Sequence, residues 1–197
     1  MKDNNTIFNV GVLTPPSLCV DTTQWLNSSG VVSTGNNLTY SSTPIAGWNN
    51  TINSLPISSE ALSGLISFKT TIALSSTEQN ASAFGFGVNE SSSSYIDVDA
   101  SFIVLQRPAS NYARLYIYQS GNYQALPFNG VPGDLDGMEL EIQYNTTTGA
   151  TEYFINGGSV YNSTIAVGDV YMDNSWYYQS TSWNGSITLN NIEICQI

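Results

Sequence analysis

"MELEIQYNTTTGATEYFINGG", residues 138–158, decides the fold. In its first third, Leu140, Ile142 and Tyr144 alternate with Glu139, Glu141 and Gln143. Successive side chains on a strand point to opposite sides, so this period of two describes a strand with one dry face and one wet face. "NTTTGA" and "NGG" then bring together the small polar residues and glycines that turns use.

The same pattern extends outward. "LISFKTTIAL" sets Ile66, Phe68, Thr70, Ile72 and Leu74 against Ser67, Lys69 and Thr71. "AFGFGV" alternates Phe84, Phe86 and Val88 with Gly85 and Gly87, and "ARLYIYQ" sets Leu115 and Ile117 against Tyr116 and Tyr118. "IFNVGVL" points Phe8, Val10 and Val12 one way. "NESSSS", "QSGN" and "NGVPGD" separate the runs. The one helical candidate is the weak "SSEALSGL", residues 58–65. Short strands with a turn roughly every ten residues predict an all-β protein, an antiparallel sandwich or barrel. Residues 1–18, with Pro15 and Pro16, form an N-terminal arm or first strand; residues 19–197 form one sandwich domain.

Composition excludes several functions. Four Lys+Arg face fifteen Asp+Glu, a net charge of −11, and Lys2, Lys69, Arg107 and Arg114 are scattered along the chain. That is no footprint for nucleic-acid phosphates or anionic lipid. No apolar run approaches a membrane span. The chain has no histidine, which removes the commonest general base and imidazole metal sites. The start, "MKDNNTIFNVGVLTPPSLC", lacks the apolar core of a signal peptide. Either a signal was removed and Met1 added, or the protein leaves by another route, such as release of virus particles.

Cys19 and Cys195 lie beside strand-like segments at opposite ends of the chain, and the terminal strands of a sandwich are often neighbours. We expect a disulfide, which requires an oxidising compartment. Sequons for N-glycosylation occur at Asn4, Asn27, Asn37, Asn49, Asn80, Asn89, Asn145, Asn162 and Asn184, several of them in expected turns.

The C-terminal half resembles the concanavalin A-like jelly-roll superfamily, which includes laminin G-like modules. The residues that carry the likeness are the strand–turn–strand of "MELEIQYNTTTGATEYFINGG", closed by Asn156-Gly157, and "WNGSITLNNIEI". The latter sets Trp183 before Gly185 and Ile187, followed by Leu189, Ile192 and Ile194. The likeness spans roughly residues 80–194. It implies a concanavalin A-like jelly roll of two stacked antiparallel sheets, one concave, with Trp183 packed inside. Such folds host lectins, glycosidases, adhesion modules and inert structural domains, so the site must settle the function.

Three sets of residues carry candidate chemistry. Glu139 and Glu141 share one strand face about 6.5–7 Å apart, near the spacing of glycosidase carboxylate pairs. Related glycosidases carry three alternating acids, and here Gln143 and Gly137 break that pattern. We expect a solvated strand face and no enzyme. Asp97 and Asp99 in "YIDVDAS", with Asp134 and Asp136 in "PGDLDGM", are the candidate calcium ligands, the only cofactor the chain suggests. The favoured reading is an exposed face for the first pair and turn chemistry for the second. Trp48, Trp176, Tyr177 and Tyr178 are the candidate ligand-binding aromatics. On a strand, Trp176 and Tyr178 share one face and Tyr177 takes the other, so one set faces solvent; we expect it to be Tyr177.

These features predict a non-catalytic, extracellular or virion-surface module for glycan recognition or adhesion. The alternative is a structural subunit of a virion surface or extracellular filament, whose N-terminal strand joins copies of itself or other surface proteins. A glycoside hydrolase ranks third.

Overall fold

The computed structural model describes residues 18–23, 31–40, 61–74, 77, 79–88, 99–171, 176–182 and 187–197; for 18, 31–33, 40, 61, 80, 171 and 176–182 it describes the backbone alone. Among these lie fifteen strands. They are β1 (Leu18–Cys19), β2 (Val31–Thr34), β3 (Asn37–Tyr40), β4 (Ala61–Leu62), β5 (Leu65–Ala73), β6 (Asn80–Phe86), β7 (Ala100–Arg107) and β8 (Tyr112–Gln119). There follow β9 (Asn122–Gly130), β10 (Glu139–Asn145), β11 (Ala150–Ile155), β12 (Gly158–Thr164), β13 (Val170–Tyr171), β14 (Trp176–Ser182) and β15 (Thr188–Gln196). One 3-10 turn, Pro108–Ser110, is the only helical element among the described residues. The weak helical candidate at residues 58–65 does not form a helix where the chain is described: Ala61–Leu62 pairs with Val170–Tyr171, and Gly64 has φ +81°, outside the helical region.

The strands form an antiparallel sandwich. The larger sheet runs β12-β11-β10-β5-β15-β3-β2, with β1 paired to β15 off this path. The smaller runs β14-β6-β7-β8-β9. The alternation read in the sequence sorts residues between core and exterior as expected. Ile66, Phe68, Thr70, Ile72, Leu140, Ile142 and Tyr144 of the larger sheet are buried against Phe84, Phe86, Phe102, Leu115 and Ile117 of the smaller. Aromatic rings bridge the two layers: Phe68 meets Phe84 edge-on with centroids 6.1 Å apart, and Phe102 meets Tyr153 at 5.3 Å. Tyr144, fully buried, donates its hydroxyl hydrogen toward the carbonyls of Ala166 and Gly168 and accepts the Gly168 N–H. Burial raises its pKa.

Two local devices fix the register. Asn156 and Gly157 both have positive φ, 50° and 75°, the type I′ geometry that joins β11 to β12. The Asn156 side chain also accepts the Glu139 N–H at 2.9 Å, so the hairpin turn is pinned to the adjacent strand. At the chain's far ends, Cys19 and Cys195 sit opposite each other across β1 and β15 and form the expected disulfide, Cα–Cα 4.0 Å. The N-terminal run with Phe8, Val10 and Val12, and Trp183, lie outside the described residues.

Candidate functional site

The sandwich has two outer faces of opposite electrostatic character. On the outer face of the larger sheet, β10 carries Glu139, Glu141 and Gln143 opposite Thr71, Lys69 and Ser67 of β5. Lys69 Nζ lies 2.9 Å from Glu139 Oε2, and this hydrogen bond is the main cause of the raised Lys69 pKa. Glu141 Oε1 accepts from Ser67 Oγ at 2.7 Å and from Gln143 Nε2 at 2.8 Å. Both glutamates are thus held in a surface network of neighbouring strands. Glu152 and Glu193 lie on strands of the same sheet.

The candidate calcium ligands fall at separate places. Asp134 Oδ2 accepts the Val131 N–H at 2.7 Å within its own turn, and Asp136 Oδ1 accepts the Leu74 N–H at 2.9 Å, tying that turn to the end of β5. Asp99 Oδ2 accepts the Val88 N–H at 2.7 Å, next to the start of β7. Asp97 lies outside the described residues. Among the described residues no group of three potential ligands comes together.

The outer face of the smaller sheet is different. Its five strands contain no Asp or Glu, and residues 100–133 contain none at all, although the chain has fifteen. Strand alternation on β8 puts Tyr112, Arg114, Tyr116 and Tyr118 on this face, away from the buried Ala113, Leu115 and Ile117. Register adds Arg107 opposite Tyr112, Leu105 opposite Arg114, Ile103 opposite Tyr116 and Ser101 opposite Tyr118. From β9 come Tyr123 opposite Tyr118 and Ala125 opposite Tyr116. β6 contributes Ala83 and Gly85. A side chain at Gly85 would run into the Ala100 carbonyl, which explains the glycine.

These residues form a built surface. Ala83, Ile103 and Tyr118 are buried as an apolar floor separate from the main core, with Tyr116 packed against it. Tyr123, 57% exposed, meets Tyr118 edge-on with centroids 4.8 Å apart. At the other end, the Arg114 guanidinium sits 4.2 Å from the centre of the Tyr112 ring and donates through Nη1 to the Ala113 carbonyl at 2.8 Å. The Tyr112 and Tyr116 hydroxyls share a hydrogen bond of 2.6 Å. Burial first, and then this hydrogen bond, push the Tyr116 phenol up to about 12, while Arg114 and Arg107 pull it down. Two of the four cations, Arg107 and Arg114, stand on the neighbouring strands β7 and β8 here. Neither has a carboxylate partner among the described residues, where the one ion pair is Lys69–Glu139.

The aromatics singled out from the sequence reach the same sheet in part. β14 pairs with β6 so that Trp176 and Tyr178 stand opposite the core residues Phe86 and Phe84, and Tyr177 opposite Gly85. Their side chains, and Trp48 altogether, lie outside the described residues. Sequence reasoning missed the Tyr112–Tyr123 surface. Two signals for it were present: the acid-free stretch of residues 100–133, and Tyr-x-Arg-x-Tyr-x-Tyr at a period of two from Tyr112.

Of the sequons, Asn162 is exposed on β12, whereas the Asn37 side chain accepts the Asn191 N–H and that of Asn145 accepts two turn N–H groups. Asn80 is described by its backbone alone. Asn4, Asn27, Asn49, Asn89 and Asn184 lie outside the described residues. Among the described residues no helix is long and apolar enough to cross a membrane.

No family model and no curated protein matches the chain. Solved structures do. The carbohydrate recognition domain of Emp47p aligns with a TM-score of 0.58 at 7% identity, over 87% of this chain and 87% of that one. The alginate lyase Aly36B aligns with a TM-score of 0.56 at 16% identity, over 92% and 98%. The CBM2 module of the evolved Dit of Lactobacillus casei BL23 phage J-1 aligns with a TM-score of 0.51 at 12% identity, over 86% and 80%. The chain has the concanavalin A-like jelly-roll fold that its sequence resembles.

Proposed function

We propose that the protein is a non-catalytic carbohydrate-binding module that holds a glycan along β8 and β9 on the outer side of the smaller sheet. The observation that carries this reading is Tyr123, a large exposed ring braced edge-on by the buried Tyr118, on the same sheet face as Arg114, Tyr112 and Tyr116. Sugar recognition uses flat aromatic surface for the C–H faces of the ring and fixed polar groups for its hydroxyls. Here the phenols and the guanidinium supply the polar groups, held by cross-strand pairing rather than by a loop. The solved neighbours named for carbohydrate recognition or a carbohydrate-binding module accord with it.

Two observations support a binding rather than a catalytic role. Glu139 and Glu141, the acids spaced for glycoside hydrolysis, are engaged on the opposite sheet. Tyr116, whose hydroxyl is tied to that of Tyr112, is pushed up by burial and by that hydrogen bond, which makes it a poor base at neutral pH. The disulfide favours an extracellular or virion-surface setting, where such bonds persist.

The test is a glycan array and calorimetric titration with wild type and Tyr123→Ala. Binding of at least one glycan is expected, reduced tenfold or more in Y123A at unchanged melting temperature. Retention of full affinity in Y123A and Y112A together would move the site elsewhere. Turnover of a bound polysaccharide would overturn the non-catalytic assignment.

A further inference from the structure

We infer that the ligand is an acidic polysaccharide whose carboxylates seat on Arg114 and Arg107; this rests on the site proposed above and names its substrate class. A chain of net charge −11 keeps every acid off the five strands of one sheet and places two of its four cations there. Arg107 and Arg114 are diagonal neighbours on β7 and β8, since Arg107 pairs with Tyr112, two residues from Arg114 on the same face. Diagonal neighbours lie about 7–8 Å apart at the backbone, near enough for two guanidinium groups to act on one short stretch of polymer.

The state of Arg114 sharpens this. Stacking on Tyr112 and one bond to the Ala113 carbonyl hold the guanidinium in place. Of its five donors, one is used by that carbonyl, and no carboxylate among the described residues takes the rest. A fixed planar fork with free donors suits a carboxylate, which it grips with two parallel hydrogen bonds; a sugar hydroxyl uses only one.

Among the described acids Asp134 comes near this end of the sheet: its Oδ2 lies beside Gly130, the partner of Ala113, and accepts the Val131 N–H. Glu139, Glu141, Glu152 and Glu193 belong to the other sheet. Their side chains lie on the outer face of that sheet, turned away from the smaller one, and packed sheets are themselves about 10 Å apart. Asp99 precedes β7 at the opposite end from Arg107, eight residues or about 26 Å along the strand. Arg114 and Tyr118 are four residues apart on β8, about 13 Å, so the charged and aromatic ends would engage different sugar units of one chain.

The experiment titrates the full chain, in a calcium-free buffer, with a soluble polyuronate, with the same polymer after carboxyl reduction, and with a sulfated polysaccharide. Expected are binding of the polyuronate at least tenfold tighter than its reduced counterpart, a fall in affinity with rising salt, and a tenfold or greater loss in Arg114→Gln. Arg107→Gln should lose less, and Arg114→Lys, which keeps the charge but not the fork, should fall between wild type and R114Q. Matching melting temperatures and circular dichroism establish that the variants are folded. Equal affinity for the reduced polymer, or full affinity in R114Q, would overturn the inference; if Y123A still abolished binding, the glycan site itself would stand. Preference for the sulfated polymer over the polyuronate would overturn the carboxylate assignment. Absence of binding to any of the three would overturn it too, and a silent glycan array would then remove the site as well.

Discussion

Removing the disulfide tests how the sandwich is closed. Cys19 and Cys195 are 176 residues apart, so the bond encloses nearly the whole chain. In the chain-entropy model a loop of that length removes about 5 kcal/mol of freedom from the unfolded state. What otherwise ties this segment to the sheet is a two-residue ladder, the Val20 N–H to the Ile194 carbonyl at 2.8 Å, the buried Thr22 hydroxyl to the Ile192 carbonyl at 2.8 Å, and the Val20 side chain packed in the core. Single hydrogen bonds contribute about 1 kcal/mol each, so they do not replace the cross-link. Against a total stability of about 5–15 kcal/mol the loss is a third or more. With a urea slope of about 2–3 kcal/mol/M, the midpoint of the Cys19→Ala/Cys195→Ala double variant should fall by roughly 2 M, and dithiothreitol should shift the wild type similarly. A midpoint within about 0.5 M of wild type would refute the argument, because the unfolded chain would then gain little freedom from opening the loop.

Three further outcomes follow from single contacts. Asn156→Ala should lose about 2–3 kcal/mol in chemical denaturation, since alanine is strained at φ 50° and the Glu139 N–H loses its acceptor; Asn156→Gly should recover the strain component alone. Glu139→Gln and Glu141→Gln should each change stability by less than about 1 kcal/mol, the range of an exposed ion pair, and leave glycan titrations unchanged; a larger effect on binding would relocate the site to the larger sheet. Tyr116 titrates at about 12 in the folded protein against about 10 unfolded, so the folded state holds its proton more tightly. Its stabilising share is complete below pH 10 and is lost as pH rises toward 12; Tyr116→Phe should flatten that alkaline fall, as read from melting temperature against pH.

The strands were legible because their signal is local. Leu140, Ile142 and Tyr144 declare a buried face through a period of two, and Asn156-Gly157 declares its turn because few other residues adopt two successive positive φ values. "SSEALSGL" carried a helical composition in too short a run, and pairing of Ala61–Leu62 with a strand more than a hundred residues away overrode it. The chain's own order also placed Tyr112, Arg114, Tyr116 and Tyr118 on one side of one strand. Which side of the sandwich they occupy, and what stands beside them, required the tertiary structure. Tyr118 meets Tyr123 through a tight turn, and Arg107 joins Arg114 through the β7–β8 register. Lys69 finds Glu139 across 70 residues of chain. Alternation is set by the geometry of each residue on its own strand, whereas a surface is set by register between strands, and register is fixed only when the buried faces of both sheets close on one another.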